Sequence, residues 1–442
     1  MRSLDLDHFA AGAMNPRLVV HPPHHASMDP WYWWLLALVS GLAFASMASP
    51  AWADQAATNT PSSAQQGFWQ RPTATGDWGG RRTQLDDQGI SVGGSWAMEG
   101  FANVQGGAAR SVVGASTLDA NLTLDLKKLF GVTGGQFYID LEDHAGRDPD
   151  EVVGDLQTID KLNWTPYFQA FEFWYQQSFG DKLRIKIGKV DANSNLSIID
   201  NGLDFLDAST QVTGTLLGFT TTPDPMPTVD IFYTPNSLFY AAFSAADSNQ
   251  NQRFLDFYGK PWAIQPTRNG ALMIGETGLT WSQIPDLAAD GNLRLGLWGH
   301  TGTFPRFDGR TQSGAQGYYV VFNQTLWKPS ADPREMRGVR TFIDYARTDG
   351  AVSPIDLSYG GGVAWTGPFA TRPLDGTGVS AEYAHISAGA GLRYPYELLL
   401  EGFYNVQVNP WLVLKPDVQY VVHSGGRYPN ALVGILQMLV TF

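Results

Sequence analysis

The chain has 442 residues, with 29 Lys and Arg against 42 Asp and Glu, a formal net charge of −13, no Cys and 48 Gly. An acidic balance of that size argues against a nucleic-acid-binding protein, which needs clustered basic residues to neutralise phosphate. The absence of Cys excludes disulfide scaffolds, thiolate zinc sites and Cys nucleophiles. Only 16% of residues are charged while 13% are aromatic, a mixture that suits a β-rich chain with polar, largely uncharged surfaces.

From Trp31 to Met47 runs an apolar stretch, followed by Ala51-Trp52-Ala53. Small residues three and one positions before a break fit a secretory cleavage site, so residues 1–53 are expected to be a signal peptide and Asp54 the start of the mature chain. The preface is atypical, with Asp5, Asp7 and Asp29 beside Arg2 and Arg17 where a positive region is usual. Residues 54–89 are expected to form a polar linker and then a short helical segment, with Trp78–Gln88 at or inside one mouth of the domain that follows.

From Ile90 onward the hydrophobic period is two. Leu118, Ala120, Leu122, Leu124 and Leu126 alternate with Thr117, Asp119, Asn121, Thr123 and Asp125. Side chains on a strand point to opposite faces in turn, so one face is hydrocarbon and the other polar. Phe137, Ile139 and Leu141 alternate in the same way with Gln136, Tyr138, Asp140 and Glu142. About sixteen such segments can be counted, near 90–102, 114–126, 135–143, 167–178, 183–190, 227–233, 238–246, 271–282, 292–301, 316–327, 339–347, 358–366, 377–386, 397–407, 412–423 and 431–442. Compact links such as Gly180–Asp181 and Asn409-Pro410 interleave with long ones at 144–166, 191–226 and 247–270. The last strand ends on Phe442. An even number of alternating strands, short turns on one side and long loops on the other predict an all-β fold, a transmembrane antiparallel β-barrel over 90–442. Phe171, Phe173, Tyr175, Trp281, Trp327, Trp365 and Trp411 fall near strand ends, where interfacial aromatic girdles belong.

Catalytic and metal motifs are sparse. Beyond residue 53 the only histidines are His144, His300, His385 and His423, widely separated. Gly360-Gly361-Gly362 reads as a weak point or bulge in a strand. The Asp191-Ala-Asn193-Ser-Asn195 run imitates the start of a calcium loop, but Leu196 stands where that loop requires Gly. The expectation is therefore a non-enzyme with no cofactor and no metal site. The polar faces mix acids, bases and rings, as a water-filled lumen passing small sugars would. Glu142, Glu172, Arg184, Lys186, Arg294 and Glu401 are the hydrogen-bonding candidates, and Trp174 and Trp298 the stacking candidates.

Gly67-Phe-Trp69, Thr75-Gly-Asp-Trp-Gly-Gly-Arg81 and Leu85-Asp-Asp-Gln-Gly-Ile90 resemble the opening of the carbohydrate-selective porin (OprB) family. Leu183-Arg-Ile-Lys-Ile-Gly-Lys-Val-Asp-Ala-Asn193, the stretch Leu400–Leu412 leading into Lys415-Pro-Asp-Val-Gln-Tyr420, and Gly425-Gly-Arg-Tyr-Pro-Asn430 extend the likeness over roughly 67–442. The resemblance implies a sixteen-stranded barrel in the outer membrane of a Gram-negative cell, passing glucose and related sugars by diffusion, with external loops folded inward. Its partners would be small sugars, membrane lipid and the barrel-insertion machinery, with monomer and homo-oligomer both open. A non-selective porin on the same barrel and a secreted carbohydrate-binding or hydrolysing β protein are the alternative readings.

Overall fold

The computed structural model describes residues 67–162, 166–216, 225–248, 270–284, 287–330, 332 and 334–442; the expected signal peptide lies outside them. Sixteen strands follow one another: β1 (Ile90–Gln105), β2 (Ser111–Asp125), β3 (Gly135–Gly146), β4 (Tyr167–Phe179), β5 (Leu183–Val190), β6 (Met226–Tyr233), β7 (Phe239–Asp247) and β8 (Ala271–Ile284), then β9 (Leu287–Pro305), β10 (Thr311–Trp327), β11 (Gly338–Thr348), β12 (Ile355–Thr366), β13 (Gly376–Ile386), β14 (Tyr396–Asn409), β15 (Leu412–Val422) and β16 (Ala431–Thr441). Each pairs antiparallel with its sequence neighbours, and β1 pairs with β16 from Ser95↔Thr441 to Gln105↔Leu432, closing the barrel. Closure leaves no edge, the condition for a sheet to stand in hydrocarbon.

The register carries the alternation around the wall. Ser95↔Asp119, Asp119↔Glu142, Trp174↔Gly188, Lys186↔Asp230, Gly278↔Arg294, Asp344↔Gly360 and Ser380↔Glu401 are directly opposed residues of the inner face. The outer face is apolar and open, with Leu297 61%, Ile343 57%, Val379 64% and Leu436 55% exposed. Gly360 and Gly362 form no bulge, because the pairing is continuous through them. They are clearances instead: a Cβ on Gly360 would fall 1.8 Å from the Glu382 carboxylate, and one on Gly362 2.7 Å from the Phe342 ring. Gly296 beneath Tyr319 and Gly317 beneath Trp298 make the same kind of room.

Both ends of the described chain meet at one rim. Helix α1 (Arg81–Gln88) precedes β1, and Arg82 Nη2 donates to Val92 O at 2.6 Å and Phe442 O at 2.9 Å. Lys128 Nζ, in the short helix α2 (Leu126–Phe130) of the β2–β3 turn, donates to Asp86 O at 2.8 Å. Trp411 belongs to this assembly and not to an open girdle: it is buried, stacked on Trp69 at 5.7 Å and edge-on to Phe68 at 4.9 Å. Phe171 also leaves the girdle pattern, since it is the extra residue of a bulge between Ala170 and Glu172 and is buried. Phe173, Trp327 and Trp365 stay exposed as expected. At the opposite rim the links 147–166, 191–225 and 248–270 are long, but 306–310 is as short as most turns. The long-loop asymmetry therefore belongs to the first half of the barrel.

Candidate functional site

Two of the long links turn into the barrel. The 147–166 link contains helix α3 (Asp150–Val153), and among its described residues the 191–225 link contains three short 3-10 turns. Glu397 on β14 accepts from the backbone N–H groups of Leu156 at 3.0 Å, Gln157 at 3.0 Å and Gly425 at 2.5 Å. Gln419 Nε2 on β15 donates to Ile159 O at 2.8 Å. Each such bond meets a backbone group that would otherwise be buried without a partner.

The 191–225 link is tied to opposite walls. Glu401 accepts from Leu206 N at 2.6 Å and Asp207 N at 3.1 Å, and Lys415 Nζ donates to Asp204 O at 2.7 Å. Across the barrel, Asp200 Oδ2 receives Arg294 Nη2 at 2.6 Å and Asn292 Nδ2 at 2.7 Å. Asn201 bonds to Asn323 and Thr341 at 2.9 Å each. Glu276 gathers Ser197 N at 2.9 Å and the hydroxyls of Tyr240 and Tyr319 at 2.6 Å each. Leu196, Ile199 and Phe205 of the link pack with Trp298, Tyr319, Phe342 and Phe403 of the wall into one apolar cluster. The link is thus a partition with its own core and not a free loop.

The eight candidates all lie on the inner face, but they form three groups. On β3–β5, Tyr138 and Trp174 stack at 4.9 Å, Lys186 Nζ sits 4.3 Å from the Trp174 ring, and Glu172 accepts from Asp191 N at 2.9 Å. Arg184 lies 4.3 Å over Phe232 and stays half-exposed. Glu142 belongs to the same wall, buried and bonded to the Tyr167 hydroxyl. Arg294 and Trp298 are on β9, the first held by Asp200 and the second inside the partition's core. Glu401 is on β14 under the partition's backbone. Trp298 and Glu401 are therefore placed where the partition covers them. Asp200, Glu276, Asn292, Glu397 and Gln419 were missed. Their partners are brought together by the barrel's closure from distant sequence positions, and no local pattern marks them.

Among the described residues, the half-exposed groups on the β3–β5 wall and the partition's first turn include Gln136, Gln176, Arg184, Asn193 and Asn195. Asn195 links Lys186 Nζ at 3.4 Å to Asp230 Oδ2 at 3.3 Å. This surface offers amide donors and acceptors beside an aromatic pair, with both signs of charge close together. Outside the strands, burial and then the neighbouring Glu151 push the Asp148 carboxyl up to about 6, against the lowering hydrogen bond it accepts from Asp150 N. Burial holds Asp150 and Asp155 above the ordinary carboxylate range, with Asp155 the foremost charged neighbour of Asp150 and Glu397 that of Asp155.

A family model described as "Carbohydrate-selective porin, OprB family" matches residues 110–442. Porin B of Pseudomonas aeruginosa is 23% identical over 421 residues, covering 83% of this chain and 90% of that protein. Porin AaxA of Chlamydia trachomatis is 30% identical over 110 residues, 24% of this chain and 24% of that protein. The high-pH structure of Pseudomonas putida OprB superposes with a TM-score of 0.76 at 21% identity, covering 85% of this chain and 100% of that one.

Proposed function

Because the chain belongs to the carbohydrate-selective porin (OprB) family, we propose that it is an outer-membrane channel through which glucose and related small sugars diffuse passively in a water-filled lumen. Family membership and the closed barrel support the channel and its membrane; the sugar preference rests on the inner surface. One observation carries it: Glu276, Arg294, Glu397, Glu401 and Lys415 of the inner wall are engaged in holding the inward-turned links. On the β3–β5 wall, the half-exposed groups beside Arg184 are amides. An ion-selective pore needs a field of one sign across its narrow part, whereas a neutral polyol needs donors and acceptors beside an apolar ring face. Gln136, Gln176, Arg184 and Asn195 supply the polar contacts in this reading, Trp174 with Tyr138 the ring face, and Glu172 and Lys186 set its orientation.

The test is swelling of liposomes that hold the purified mature protein. Glucose should enter faster than an amino acid of matched size. Entry ranked by size alone would replace the sugar-selective reading with a general porin, and no entry through a folded barrel would reject the channel.

A further inference from the structure

Asp119 on β2 and Asp140 and Glu142 on β3 bring one carboxylate oxygen each to within 4.8 Å of one another. The three side chains are 2%, 4% and 3% exposed. Asp119 receives the Ser95 hydroxyl at 2.8 Å and Glu142 the Tyr167 hydroxyl, but Asp140 Oδ1 is buried with no hydrogen-bond partner. The charged groups that act most strongly on the three are one another, Glu172 and Asp191, all acids. Three carboxylates taken out of water together are costly, and an oxygen left without a donor adds to that cost. Calcium takes only hard oxygen ligands at about 2.3–2.6 Å, so two ligands of one ion lie up to roughly 5 Å apart, which is the span found here.

We infer that Asp119, Asp140 and Glu142 form a divalent-cation site in the barrel wall, filled by calcium, with water completing the shell. Asp140 Oδ1 is the ligand atom that has no other use. Ser95 and Tyr167 hold the two flanking carboxylates in place by donating to one oxygen of each, the usual task of groups behind a metal's ligands. The site departs from the expectation of no metal. It has no spacing motif, because Asp119 reaches the other two only through the ladder pair Asp119↔Glu142. It also makes Glu142 a cation ligand and not a contact for the passing solute. Since Asp140 is paired in the ladder with Glu172, the bound ion offsets negative charge directly beside the Trp174 and Lys186 surface.

Terbium is a suitable probe, because Tyr138, Tyr167 and Trp174 stand beside the triad and can sensitise its emission. The full mature barrel in detergent, stripped with a chelator, should show sensitised terbium emission that calcium displaces, and Asp140→Asn should weaken binding roughly tenfold or more. The melting order provides a second readout. In chelator, Asp140→Asn should unfold at a higher temperature than the wild type, because it removes one repelling charge; in calcium the order should reverse. Asp119→Asn serves the same comparison if Asp140→Asn does not fold. No terbium emission, equal titrations of wild type and variant, or a melting order indifferent to calcium would each overturn the site and leave the sugar reading untouched.

Discussion

At the scale of single residues, Arg184 is where the proposed solute contact is most directly tested. It is half-exposed and lies over Phe232, with Asp230 and Lys186 as charged neighbours. Arg184→Ala should change the ratio of glucose to amino-acid entry while leaving the barrel's stability within about 1 kcal/mol of the wild type, as for a partly exposed site. Unchanged sugar entry together with unchanged ion selectivity would remove Arg184 from the pathway. Asp148 gives a prediction in pH. Its carboxyl is pushed up to about 6 by burial and by Glu151, against about 3.9 in an unfolded chain. A raised carboxyl favours the docked 147–166 link fully below the lower value and loses that contribution as pH rises through 6. Hydrogen exchange at the Leu156 and Gln157 amides, corrected for intrinsic rate, should therefore quicken from about pH 4 to about pH 6 and level off above it. Asp148→Asn should flatten the step.

At the scale of elements, the partition is held by a few strong anchors, and Glu401 is the one whose removal should open it. Its carboxylate accepts two backbone N–H groups, and each would be left buried without an acceptor at a cost of about 1–3 kcal/mol. Glu401→Ala should raise single-channel conductance and admit larger sugars; Glu401→Gln, which keeps one acceptor oxygen, should do so less. Equal conductance in all three would mean that other ties, such as Asp200 with Arg294, carry the link alone. The strands themselves were legible: Leu118 to Leu124 and Phe137 to Glu142 lie on the faces that their alternation dictates, because the period of two is a property of the backbone, whereas Leu126 opens helix α2. The partition was legible only as a long link. Its anchors pair Glu276 with Ser197 and Glu397 with Leu156, and only closure of the barrel brings those positions together. Gly360 and Gly362 of β12 were misread for a related reason, since what each clears is a side chain on an adjacent strand.

At the scale of the whole molecule, a closed barrel is only as strong as the join between its first and last strands. Here the join is reinforced from outside the sheet. Phe442 N donates to Gly94 O and Ala74 N to Thr441 O, both at 2.9 Å, so the last residues lie between β1 and the segment before α1. Arg82 spans both sides, with one guanidinium nitrogen on Val92 O and Phe442 O and the other donating to the Thr73 hydroxyl at 3.1 Å. Hydrogen bonds from a charged donor contribute about 1.5–3 kcal/mol each, and Lys lacks the planar fork needed to reach both carbonyls and Thr73 at once. Arg82→Ala should therefore lower the urea midpoint of the detergent-solubilised barrel, and Arg82→Lys should recover only part of the loss. Neither should alter the solute preference of an intact channel, because the Arg184 and Trp174 surface lies on β4 and β5, away from the join. If Arg82→Ala unfolded at the wild-type midpoint, the β1–β16 ladder would be sufficient alone, and the helical segment would be a cover for the rim with no part in closing it.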